Sequence, residues 1–114
     1  MSEEDPSLHA IVEYDGTSYT VKPEKAWITC KMKIRWTLVS TTGVRFKDKD
    51  FFKTKLPTDQ IIDIRRIDDL NVEVTNICDA KADIRYDLGV RTTEDLTVPV
   101  AVWIDPIIKN EPTT

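Results

Sequence analysis

The sequence predicts an all-β domain, an immunoglobulin-like or cupredoxin-like sandwich of seven to eight short antiparallel strands. Three observations predict it. Apolar and polar residues alternate over several stretches, the period of a strand with one buried face. The stretches are short, and turn signals separate them at the spacing of a sandwich. The chain has 114 residues, the size of one domain able to bury its own core. A small barrel is the alternative closure of the same strands. There is no internal repeat and no low-complexity segment.

Residues 1–7 read as a disordered lead-in, and residues 8–114 as a single sandwich domain with a docked C-terminal tail. Leu8 to Tyr14 is β-rich and ends at Asp15-Gly16, a tight-turn pair. Tyr19 and Val21 continue in phase until Pro23 interrupts. The longest alternation follows, with Ala26, Ile28, Cys30, Met32, Ile34, Trp36 and Leu38 on one face. The other face is mostly Thr, Lys and Arg. One strand of that length is unusual, so the run is expected to bend near Lys31 to Lys33 or to be two successive strands. Trp36 reads as inward-facing and Cys30 as a small core residue.

Later elements are less uniform. Val44 to Lys53 has no clean period and reads as a short strand, then a loop whose phenylalanines cap the core. Thr58 or Asp59 could cap a helix over 58–70. The β-branched isoleucines there favour a strand, which is assigned to Ile61 to Arg65. Leu70, Val72 and Val74 alternate, and so do Ala82, Ile84, Tyr86, Leu88 and Val90. Leu96, Val98, Val100, Val102 and Ile104 share one face of the last strand. Pro99 on the opposite phase puts that strand at a sheet edge or at a bulge.

Charge and composition narrow the function classes. The net charge is −4, with both signs interspersed, whereas a nucleic-acid binder carries a basic face. Lys31, Lys33 and Arg35 alternate as a small basic row and read as a solvated strand face. The start, Met-Ser-Glu-Glu-Asp-Pro, is the reverse of a basic-then-apolar signal peptide. No apolar run approaches the roughly 20 residues that span a bilayer. A cytoplasmic protein with neither nucleic-acid nor membrane partners is expected. Cys30 and Cys78 are then expected as reduced thiols, since a reducing compartment disfavours a disulfide between them.

Little supports catalysis. Blue copper needs two histidines, a cysteine and a weak axial ligand, and structural zinc needs four Cys or His ligands. The chain has one histidine, His9, and two cysteines. Cys78 lies near a strand end and is the thiol expected to have some exposure, but no neighbour in sequence activates it. With three glycines, no phosphate-cradling loop or Gly-x-Ser-x-Gly turn is present. Asp68-Asp69, Glu94-Asp95, Asp48 with Asp50, and Asp79 with Asp83 are turn acids, which local hydrogen bonding explains. No catalytic residue, cofactor or metal site is expected.

Two aromatics stand apart. Trp27 and Trp103 are out of phase with the apolar sets of their strands, which makes them the candidate interface residues, unless a bulge reverses the phase. The expected role is contact with protein, as a homo-oligomer or with another partner. The alternative is a small-molecule or carbohydrate module using aromatics at a loop end.

The C-terminal segment carries Asp105-Pro106 and Glu111-Pro112. Together with Lys33-Ile34-Arg35-Trp36-Thr37-Leu38 and Ile84-Arg85-Tyr86-Asp87-Leu88-Gly89-Val90, these dipeptides resemble the DP-EP family of small bacterial proteins. The resemblance covers most of the chain and implies a β-sandwich without an assigned activity. In physical terms, Pro106 holds Asp105 extended. Ile107 and Ile108 beyond it predict a segment that docks rather than hangs free.

Overall fold

The computed structural model describes residues 7–14, 18–40, 43–91, 102–103 and 106–112. The Asp15-Gly16 turn, residues 1–6 of the expected lead-in, Glu94-Asp95, Leu96, Val98, Pro99, Val100, Ile104 and Asp105 lie outside the described residues, and Ser7, assigned to that lead-in, is in a strand. Within them the fold is all-β. The strands in chain order are β1 (Ser7–Tyr14), β2 (Ser18–Lys22), β3 (Lys25–Ile28), β4 (Met32–Ser40), β5 (Arg45–Phe46) and β6 (Phe52–Thr54). There follow β7 (Ile61–Asp68), β8 (Asn71–Asn76), β9 (Ala82–Leu88), β10 (Val90–Arg91), β11 (Val102–Trp103) and β12 (Ile107–Asn110).

Two sheets face each other. One has the order β11-β2-β1-β4-β8-β7, the other β3-β12-β9-β6, and β5 pairs with β10 apart from both. The sandwich class is as expected, but the strands are not all antiparallel. β1 and β4, β2 and β11, and β3 and β12 pair in parallel. A parallel pair needs a crossover rather than a hairpin. The chain supplies one by visiting the second sheet as β3 before returning as β4 beside β1.

That visit explains the long alternation from Ala26 to Leu38. It is two successive strands, and the chain changes sheets at Thr29 to Lys31. Ala26 and Ile28 face the core from one sheet, and Ile34, Trp36 and Leu38 face it from the other. Cys30 falls on the crossover and is exposed, so it is not the core residue that its phase suggested. Cys78 is the buried thiol. Its backbone is left-handed, with φ 49°, and its Sγ turns inward to donate to the Ile28 carbonyl at 3.4 Å.

Trp36 anchors the core between the sheets. Its Nε1 donates to the Tyr86 hydroxyl across the sandwich at 2.9 Å. Its ring lies 5.2 Å from Phe52 and 5.1 Å from Tyr86, centroid to centroid, within the range of favourable aromatic pairs. Burial pushes the Tyr86 phenol well above its usual range, partly offset by the Trp36 hydrogen bond. Phe46 and Phe52 close the core from the 44–54 region. Gly89 is required where β9 meets β10: a Cβ there would lie 2.2 Å from the Asp50 carbonyl oxygen, closer than any side chain tolerates.

The segment after Pro106 is a sheet strand. β12 lies between β3 and β9, and Pro106, Ile107, Ile108 and Asn110 are buried. Asn110 completes a buried polar junction at one end of the sandwich. Asn76 Nδ2 donates to Asn110 Oδ1 at 2.7 Å, and Asn110 Nδ2 returns a bond to Asn76 Oδ1 at 3.0 Å. Gln60 Oε1 accepts from the backbone of Asp79 and Ala80 at 3.0 and 3.2 Å. Pairing these amides mutually removes the cost of burying them singly.

Candidate contact surfaces

Strand alternation places Trp27 outward, because Ala26 and Ile28 on either side of it face the core. Trp27 is 60% exposed. Register sets Lys109 of β12 beside Trp27 and opposite Asp83 of β9. The Lys109 Nζ sits 5.4 Å from the Trp27 ring centroid and 3.2 Å from Asp83 Oδ2. An aromatic, a cation and an acid therefore form one row across three strands, held by a cation–π contact and an ion pair. Beside this row, a cavity of about 250 Å³ opens between Ala82 to Arg85 and the loop Lys55 to Thr58. Leu56 of that loop is largely exposed.

Trp103 does not join this row. Its backbone, in β11, pairs with Tyr19 of β2 in the six-stranded sheet. The two tryptophans singled out in the sequence thus belong to different sheets. Of the C-terminal motif, Pro106 is buried, Glu111 is exposed and Pro112 is half-buried. The Glu111 backbone N–H donates to the Ile28 carbonyl at 2.8 Å, which extends the β12–β3 ladder.

A second surface was not apparent in the sequence. Among the described residues, the two larger sheets end in the edge strands β11, β3, β6 and β7. β3 and β6 span four and three residues, and β7 spans eight. Short edges discourage pairing with another chain, while a long one offers a row of open backbone groups. β7 also shows apolar side chains, with Ile62, Ile64 and Ile67 exposed at 41%, 47% and 41%. Register shifts against β8 fall between Ile62 and Arg65 and between Arg66 and Asp68. Asp63, at φ 51°, marks the first. Ile61, Ile64 and Ile67 stand three residues apart, and across these bulges they are not all turned inward, Ile61 being buried and the other two exposed.

The charges near β7 are ordered. Glu73 of β8 is nearly buried between Arg35 of β4 and Arg65 of β7. Burial alone would raise its carboxyl pKa, but hydrogen bonds from both guanidinium groups hold it below the usual glutamate range. At the hairpin after β7, Asp68 is held low chiefly by the Asn71 side chain and the Leu70 N–H, and Asp69 chiefly by Arg66. Leu70, in phase with the buried Val72 and Val74 in the sequence, lies in this hairpin turn and is exposed, so it does not join their face.

Other candidate chemistry stays dispersed. His9 is exposed on β1. Burial pushes the Cys78 thiol up, with Cys30 adding to the effect, which disfavours the nucleophilic thiolate. Among the described residues no three His, Cys, Asp or Glu side chains cluster as a metal site. No helix among them is long and apolar enough to cross a membrane. No family model matches the chain, and no curated protein matches it.

Proposed function

We propose that this chain is a non-enzymatic β-sandwich that works through protein contacts, with self-association foremost among them. The observation that carries the reading is β7, a long edge strand with three exposed isoleucines. An open edge of this kind recruits another strand through backbone hydrogen bonds, and apolar side chains add area to the contact. The expected outcome of light scattering after size exclusion is a mass that rises with concentration to a multiple of one chain. A single-chain mass at every concentration up to the millimolar range would remove self-association.

A second reading rests on the Trp27–Lys109–Asp83 row and its neighbouring cavity. An exposed aromatic beside fixed polar groups suits a small-molecule or carbohydrate site. Under this reading, soluble oligosaccharides shift the tryptophan fluorescence of the native chain but not of Trp27→Ala. An identical response from both proteins counts against it. The resemblance to the DP-EP family belongs to the same proposal. Burial of Pro106 and the Glu111–Ile28 hydrogen bond support a structural role for that motif.

A further inference from the structure

We infer that β7 pairs antiparallel with β7 of a second copy of this chain, about a two-fold axis near Ile64. The inference rests on the self-association reading above and adds the strand, the direction and the charges that select it. β7 reads Ile61-Ile62-Asp63-Ile64-Arg65-Arg66-Ile67-Asp68. In antiparallel pairing about Ile64, Asp63 of each copy faces Arg65 of the other, and Ile61 faces Ile67. An axis half a residue further on sets Asp63 against Arg66 and Ile62 against Ile67. Either register brings opposite charges together twice, because a two-fold contact repeats itself.

Parallel pairing in register does the reverse. It sets Asp63 on Asp63 and the Arg65-Arg66 pair on its own copy, and like charges directly opposite are destabilising. The sequence of β7 thus admits a closed dimer and resists open stacking. The exposure pattern agrees. Asp63 and Arg65 are exposed, as are the isoleucines between and beside them. One bulge lies between Ile62 and Arg65, at the axis itself, and the other between Arg66 and Asp68, so the ladder between copies is short and departs from regular pairing at Asp63. Two six-stranded sheets joined in this way become one continuous sheet across the dimer.

The test is a charge exchange read by light scattering and sedimentation, with circular dichroism confirming that each variant folds. Asp63→Arg alone and Arg65→Asp with Arg66→Asp alone each place like charges opposite, and each weakens the dimer about tenfold or more. Mixed in equal amounts, the two variants form a heterodimer, since both contacts are then opposite in sign. Arg65 also holds the nearly buried Glu73, and Arg66 also bonds Asp69 and the Phe46 carbonyl, so the second chain has a substitute should it not fold. Ile64→Lys, on the exposed edge, weakens the dimer by introducing facing lysines at the axis. A dimer unaffected by Ile64→Lys and by Asp63→Arg overturns the β7 interface while leaving self-association standing. A native chain that never dimerises overturns both.

Discussion

Glu73 ties three strands together with one carboxylate. Arg35 reaches it at 3.2 Å from β4, and Arg65 reaches it from β7. Its folded-state pKa lies below its unfolded value. A carboxyl group of this kind contributes stability that is fully present above the unfolded pKa and is lost as pH falls through the folded one. Glu73→Gln is therefore expected to be less stable than the native chain near neutral pH, with the gap closing as the solution is acidified. Urea denaturation at a series of pH values checks this. A gap independent of pH would remove Glu73 as the source. Sequence alone showed the basic row Lys31, Lys33 and Arg35 but not this partner, because Glu73 is 38 residues away in the chain. The two cysteines show the same limit. Alternation gives the face of a residue only while the strand continues, and Cys30 sits where the strand breaks.

At the scale of elements, β12 has the largest consequence for stability. It is hydrogen-bonded to β3 on one side and β9 on the other, and Ile108 is fully buried in the core. Ile108→Ala is expected to cost about 2–5 kcal/mol, the range for emptying a buried aliphatic site. Removing residues 105–114 takes away the strand, Ile108 and Asn110 together, and the cooperative thermal transition is expected to be lost. An unchanged melting temperature would show that the sandwich holds without β12. The sequence indicated a docked segment here from Ile107 and Ile108, but not a central strand. Consecutive isoleucines carry no period-2 signal, and in β12 both are buried, Ile108 in the core and Ile107 on the other side of its strand. In β7 the fault was opposite. The isoleucines correctly suggested a strand rather than a helix, while the bulges that expose them leave no local mark beyond an irregular period.

At the scale of the whole molecule, the fold class was legible and the strand order was not. Period 2 says that one side of a strand is buried, and the summed stretches say sandwich. Neither says which sheet a strand joins, so the parallel pairs were missed along with the change of sheets at Thr29 to Lys31. The candidate surfaces divide in the same way. Trp27 was found because its phase is local. The β7 edge was not, since being an edge depends on which strands stand beside it. Trp27 and β7 belong to different sheets. A dimer joined along β7 thus leaves each copy its own Trp27 row, and the two readings of function concern separate surfaces.

The place of β12 has a consequence in time as well. During synthesis, the six-stranded sheet has β1, β2, β4, β7 and β8 as soon as Asn76 is clear of the ribosome. The other sheet does not close in that order. Strands β3 and β9 exist before residues 107–110 do, with a gap one strand wide between them and unpaired backbone groups on either side. A nascent chain therefore carries one nearly finished sheet and one divided sheet until residues 107–110 emerge. During that interval the open slot is exposed to any extended segment nearby, which makes the closing strand a safeguard against mispairing as much as a source of stability.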